Sequence, residues 1–222
     1  MTRLLGVVPA RAGSRRLPGK NTRELGGIPM IGWTLRAAVA SQCLDALVVS
    51  TDSPDIAAVA EAFGVPVPRL RGEGLATDDA AVADVIVDAL SWFEDDYDAV
   101  VVLQPSSPFR RPETIQSVIE TYESEPGVSV VTVGPVEKPI AWLRRLTDAG
   151  ELADPGLSAP DGLRRLNGSM YVAPAKHLID TRSLYTTPTR GFAMDDPIES
   201  LDIDTPADWL LAERCADHRE AP

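Results

Sequence analysis

Val8-Pro9-Ala10-Arg11-Ala12-Gly13-Ser14-Arg15-Arg16-Leu17-Pro18-Gly19-Lys20-Asn21 continues the apolar run that starts at Leu4. This stretch holds four cations, two glycines and no carboxylate, in a 222-residue chain whose formal net charge is −12. A glycine-bearing turn at the carboxyl end of a first strand lets backbone N–H groups approach an anion, and Arg and Lys add bidentate and point-charge contacts. The guest that suits such a loop is a phosphate chain, although charge alone would also describe a solvated basic loop. Spacing excludes two familiar alternatives. Five residues separate Gly13 from Gly19 and Asn21 follows Lys20, so G-x-x-x-x-G-K-[ST] is absent, and so is G-x-G-x-x-G.

Outward from the loop, Leu4 to Val8 reads as a central strand buried on both faces. Pro29 to Gln42 places Ile31, Leu35, Ala38 and Val39 at helical spacing, with Pro29 suited to an early helical position. Strand, loop and helix make a first βα unit, and the alternation recurs. Ala46 to Ser50 reads as a strand, Thr51-Asp52-Ser53-Pro54 as the start of a helix over Asp55 to Phe63, and Gly64 as its stop. Ala80 to Phe93 is amphipathic, Ala99 to Leu103 is a buried strand, Pro112 to Tyr122 a helix and Ser129 to Val133 a strand. Val65 to Asp79 is too rich in Pro and Gly for an element interior, and Thr77 there can cap the next helix. From Gly134 to Arg165 the pattern degrades, which marks an excursion near 134–166, and Asn167-Gly168 reads as a turn leading into a strand. The expected fold is one α/β domain over residues 1–222, a doubly wound, mostly parallel sheet with a protruding segment.

Past the Ala99 to Leu103 strand comes Gln104-Pro105-Ser106-Ser107-Pro108-Phe109-Arg110. The prolines end the strand and stiffen the turn, so Gln104, Ser106 and Ser107 are presented at the sheet's carboxyl edge, where open α/β sheets bind ligands. The acidic balance argues against general binding of nucleic acid or anionic membranes, which would want a broad basic face. Cys43 and Cys215 offer neither a disulfide framework nor metal-ligand spacing. The six-residue run ending at Pro9 is too short for a secretory core and no run approaches a membrane span, so a cytoplasmic protein is expected. His177 and His218 lack a Ser/His/Asp context, Gly-x-Ser-x-Gly is absent, and the four tryptophans form no stacking stripe.

Pro-Ala-Arg-x-Gly-Ser-x-Arg-x-Pro-Gly-Lys-Asn, followed by Leu-Gly-Gly-x-Pro-Met-Ile-Gly-Trp-Thr, resembles the opening of the cytidylyltransferases that activate acylneuraminates and related ulosonic acids as CMP conjugates. Arg15 stands where that family usually carries Lys, which keeps the charge and changes reach and geometry. The resemblance continues at Arg71 and Asp78, in a segment that helps hold the nucleotide, with Gly72 in place of the family's Pro. It continues again at Gln104 to Arg110, with Ser106 and Phe109 as conservative departures, and at Asn167 to Val172. The Arg-Gln-x-Leu-Pro signature of sialic-acid-activating members is missing before Asn167.

Near the C-terminus stands Ser200-Leu201-Asp202-Ile203-Asp204-Thr205-Pro206-Ala207-Asp208-Trp209. On a strand, Leu201 and Ile203 would face one side and Asp202 and Asp204 the other, their Cα atoms roughly 6.5 Å apart. Both carboxylates then meet one volume. A nucleoside triphosphate brings Mg²⁺, a hard cation held by one or two carboxylates plus phosphate oxygens and water, and the family carries its metal aspartates in this context. Thr205 and Asp208 also suit a helix start, which leaves the two preceding carboxylates to the metal. Asp195, Asp196 and Glu199 read as a solvated acidic approach.

The resemblance therefore implies a Rossmann-like nucleotidyltransferase in which an acceptor oxygen attacks the α-phosphorus of CTP, giving a CMP conjugate and pyrophosphate. Arg11, Arg15 and Lys20 are expected to neutralise the triphosphate, with Ala10, Gly13, Ser14, Asn21, Arg71 and Asp78 around the nucleotide. Gln104 is expected to serve both catalysis and the acceptor, beside Ser106, Ser107, Arg164, Arg165 and Asn167, and Asp202 and Asp204 to hold Mg²⁺. The partners implied are CTP, an acidic small-molecule acceptor and a second copy of the chain. The acceptor stays open between an acylneuraminate-type ulosonic acid and a small phosphonate such as phosphonoformate. Guanylyl or uridylyl transfer and a non-catalytic nucleotide-binding module are the further readings.

Overall fold

The computed structural model describes residues 2–217 apart from Arg15, Asp78, Asp95, Glu137, Pro139 and 157–161. Arg15 and Asp78 of the expected site, and His218, lie outside the described residues. In chain order the elements are β1 (Leu4–Pro9), β2 (Glu24–Leu25), β3 (Ile28–Pro29), α1 (Met30–Ser41), β4 (Ala46–Ser50), α2 (Pro54–Ala62), α3 (Val82–Leu90) and β5 (Ala99–Leu103). Then follow α4 (Pro112–Glu123), β6 (Val130–Pro135), β7 (Arg145–Leu146), β8 (Leu152–Ala153), β9 (Arg164–Pro174), α5 (Ala175–Thr181), β10 (Arg190–Ala193) and α6 (Pro206–Ala216).

Six strands form one sheet in the order β10-β6-β9-β5-β1-β4. β1 pairs in parallel with β4 and β5, and β6 with β10, while β9 runs antiparallel between β5 and β6. The apolar runs are continuous because both faces are covered. Along β1, Leu4 and Val8 enter a core with Ile31 and Leu35 of α1 and Ile115 and Val118 of α4. Leu5 and Val7, between them, enter a second core with Ile86 of α3 and Leu178 of α5. The sheet is doubly wound and mostly parallel, as the alternation predicts.

A third cluster fixes the site. Leu17 of the basic loop, Leu25, Met30 and Trp33 of the first βα unit, Phe109, and Ile203, Trp209 and Ala212 of the C-terminal segment pack together. Trp33 donates its indole N–H to the Leu25 carbonyl (2.9 Å), and Arg23 stacks over the Trp209 ring at 4.1 Å. Apolar contact across nearly 190 residues of sequence thus lays α6 over the loop after β1.

Four local expectations are corrected. Asn167-Gly168 is not a turn but lies inside β9, where the register with β6 slips between Val131 and Val133. Gly168 takes φ +70° there, and Thr132 fills the gap by donating its hydroxyl to Asn167 Oδ1 (2.7 Å) and accepting from the Met170 N–H (2.9 Å). The segment around Asp202 and Asp204 is neither helix nor strand and belongs to no ladder; one backbone bond, Ile203 N–H to the Ser106 carbonyl (2.8 Å), ties it to the loop after β5. α3 starts at Val82 with Ala81 at its cap, so Thr77 does not cap it. Glu199 is not solvated: it is buried, accepting from the Arg111 N–H (3.1 Å), the Arg111 guanidinium and Thr114 Oγ1 (3.0 Å).

Candidate active site

The loop after β1 turns tightly. Gly19 sits at φ +68°, a conformation that costs a side-chain-bearing residue steric strain. Its carbonyl accepts from the N–H groups of Thr22 and Arg23 (3.2 and 3.1 Å), while the Asp52 carboxylate accepts from the Ala12 N–H (2.8 Å). Asn21 donates its amide to the Arg11 carbonyl (3.1 Å), and its Oδ1 is buried with no hydrogen-bond partner. An acceptor left in that condition costs free energy unless a ligand donor reaches it.

Between this loop and the one after β5 opens a cleft of about 430 Å³. Arg11, Gly13, Ser14, Lys20, Asn21, Gln104, Ser106 and Asp204 of the expected site line it, together with Arg16 and Asp79. Lys20 Nζ donates to the Ile203 carbonyl (2.7 Å) and to Asp204 Oδ1 (3.1 Å), and Arg16 lies 2.6 Å from Asp204 Oδ2. Residues more than 180 apart in sequence thereby share one wall.

Beneath the floor lies Arg110, fully buried. It donates to the Gln104 carbonyl (3.0 Å), the Ser169 carbonyl (2.6 Å) and Ser169 Oγ (3.0 Å). Burial pulls its pKa down to about 10, against the opposing charge of Glu199. It remains protonated at neutral pH and fixes the turn that presents Gln104 and Ser106.

Asp202 stands beside the cleft, and one of its carboxylate oxygens is buried with no hydrogen-bond partner. Burial pushes its pKa above the ordinary carboxylate range; the Ser106 hydrogen bond and the Lys20 charge oppose this, and the neighbouring Asp204 adds to it. A half-buried carboxylate with an orphaned oxygen next to a second carboxylate fits a hard divalent cation.

The remaining expected residues are placed elsewhere. Ala10 is buried behind the loop. Arg71 is buried too, its guanidinium donating to the Ser50 carbonyl, Ser50 Oγ (3.3 Å) and the Leu75 carbonyl (3.2 Å). Ser107 is fully buried. Asn167 is interior, its amide donating to Ser200 Oγ (3.0 Å) and Met194 Sδ (3.3 Å). Arg164 and Arg165 are exposed on β9, off the cleft wall, with Arg164 paired to Asp195 at 2.6 Å. Arg16 and Asp79 were missed. Arg16 was visible as one of four cations in the opening stretch, whereas Asp79 carried no signal beyond its neighbour Asp78.

A strand, a cationic glycine-bearing loop and a helix, opening at the carboxyl edge of a mostly parallel sheet with two aspartates opposite, define an α/β nucleotidyltransferase. A family profile described as cytidylyltransferase matches residues 5–144, and the chain belongs to that family. It is 45% identical over 222 aligned residues to the CMP-N,N'-diacetyllegionaminic acid synthase of Legionella pneumophila, covering 96% of this chain and 95% of that one. It is 34% identical to the N-acylneuraminate cytidylyltransferase of Escherichia coli O18:K1:H7 over 95% of its own length, and spans 51% of that longer relative. Among solved structures, a CMP:2-keto-3-deoxy-manno-octonic acid synthetase complexed with CTP superposes with TM-score 0.73 at 19% identity, covering 98% of this chain and 99% of that one. That last likeness is one of fold.

Proposed function

We propose that the chain transfers CMP from CTP to the anomeric hydroxyl of a nonulosonic acid of the neuraminic or legionaminic kind, releasing pyrophosphate. The observation that carries this reading is the end-to-end likeness to a CMP-N,N'-diacetyllegionaminic acid synthase, joined to a cleft whose cations and aspartates suit a triphosphate. Arg11, Lys20 and the loop N–H groups bind the phosphates and offset charge as the acceptor oxygen approaches the α-phosphorus. Gln104, set by Arg110, orients the reacting groups. Catalysis of this kind is largely positioning and electrostatics; as the acceptor oxygen bonds to the α-phosphorus and pyrophosphate leaves, the hydroxyl proton passes to solvent water. Asp202 and Asp204 would hold Mg²⁺, which supplies Lewis-acid stabilisation of charge on the transferring and leaving groups. Arg164 or Arg165, on the strand that returns from the excursion, would have to turn from its present exposed position toward the cleft to meet the acceptor carboxylate, Arg164 giving up its pair with Asp195, and Arg71 and Asn167 act by holding the strand ends in place. The enzyme works where CTP is made, in the cytoplasm, as a homodimer.

The test is pyrophosphate release with CTP and Mg²⁺ against N-acetylneuraminate, N,N'-diacetyllegionaminate and phosphonoformate, with product masses read directly. Turnover with either sugar acid is the expected result. Turnover with phosphonoformate alone would replace the acceptor, and silence with all three would refute transfer.

A further inference from the structure

Asp204 faces an unusual surplus. Each of its two oxygens is taken by a different cation, Oδ2 by Arg16 at 2.6 Å and Oδ1 by Lys20 at 3.1 Å, although the same carboxylate is wanted for a divalent metal. Lys20 is 14% exposed and has a second anchor in the Ile203 carbonyl, so it keeps its place in the cleft wall when its bond to Asp204 is given up. Arg16 is 62% exposed and Asp204 39%, a setting in which an ion pair is weak and its partners exchange readily. The guanidinium is a planar fork that matches phosphate oxygens as well as a carboxylate. Arg16 also lines the same cleft wall as Arg11, Ser14 and Lys20.

We propose that Asp204 stands in for phosphate in the nucleotide-free cleft, holding Arg16 and Lys20 until a triphosphate takes them over and leaves the carboxylate to a divalent cation. Only ionic partners change; no covalent bond is made or broken. The proposal rests on the CTP reading and adds to it a binding residue, Arg16, and an order, nucleotide before metal at Asp204. It makes Arg16 act with opposite sign on the two ligands. Arg16 attracts the triphosphate, and it competes with the metal for one carboxylate.

That opposition is the test. The whole chain and its Arg16→Met variant, which keeps the apolar stem without the charge, are compared in two separate titrations. CTP is titrated in the presence of a chelator by calorimetry, and Mn²⁺ is titrated without nucleotide by electron paramagnetic resonance of the free ion. The substitution is expected to weaken metal-free CTP binding about ten-fold and to tighten Mn²⁺ binding about three-fold. A merely structural role would weaken both. Weakening of both, no change in either, or a loss of CTP affinity without a gain in Mn²⁺ affinity would overturn the proposal. A wild-type chain that binds no CTP would bring down the functional reading itself, whereas CTP binding that Arg16→Met leaves unaltered would bring down this inference alone.

Discussion

Asp202 carries the sharpest conflict between stability and function in the molecule, because a half-buried carboxylate with an orphaned oxygen is a cost to the fold. Asp202→Asn keeps the shape and removes the charge. It is expected to cut pyrophosphate release by about 10²–10³-fold while raising the thermal midpoint by a few degrees; a variant that loses stability and keeps activity would contradict the assignment. Glu199 is the opposite case, a buried carboxylate whose bonds to Arg111 and Thr114 are internal. Glu199→Ala strands those donors and is expected to cost about 2–4 kcal/mol, read from the urea midpoint. Lys20, Asn21 and Gln104 were legible as cleft-lining residues because each stands in a motif whose local turn dictates where it points. The two carboxylates were legible in kind but not in partners, since no sequence pattern says that Arg16 and Lys20 close on Asp204 from more than 180 positions away. Glu199 was misread as solvated for the same reason: its burial is decided by Arg111 and Thr114 on a distant helix start.

Helix α6 delivers the aspartates. Its N-cap, Thr205, accepts from the Asp208 N–H, and the Asp208 side chain accepts from the Thr205 N–H (2.7 Å), a reciprocal capping box set one residue after Asp204. Thr205→Ala is expected to cost about 1 kcal/mol in stability and, by loosening the turn after Asp204, to raise the Mg²⁺ concentration needed for half-maximal turnover; metal dependence that stays fixed would separate the cap from the site. Most elements were readable because apolar runs, Pro at helix starts and Gly64 after α2 are local signals. Two failed for one physical reason. Asn167-Gly168 carries the chemistry of a turn, and 200–204 the alternation of a strand, yet backbone pairing is settled by neighbours the chain meets late. β6 pairs with β9 on both sides of the Asn-Gly pair, so the pair becomes a bulge within one strand instead of a turn between two elements, and the third apolar cluster pins Ile203 away from any ladder.

On the scale of the whole chain, the parallel order was legible from its alternation, but the reversed strand was not, since an apolar run reads alike in either direction. Between β6 and β9 the excursion exposes Trp142 (72%), Leu146 (68%) and Leu152 (73%), three large apolar side chains on one segment. A second copy covering it is the expected arrangement. Light scattering of the wild type should give twice the chain mass, and Trp142→Asp should give the monomer; a wild-type monomer would refute the dimer. The reversed strand also bears on how such an enzyme can change its acceptor. Pro135 at the end of β6 is paired with Arg164 at the start of β9, so the intervening segment leaves and re-enters the sheet side by side, at the carboxyl edge. A stretch with adjacent ends closes at an entropic cost that grows only slowly with its length. It can be lengthened, shortened or exchanged without rethreading a single strand, so that, on the acceptor role proposed above for Arg164 and Arg165 beside it, selection is free to rebuild that side of the enzyme while the nucleotide side stays untouched.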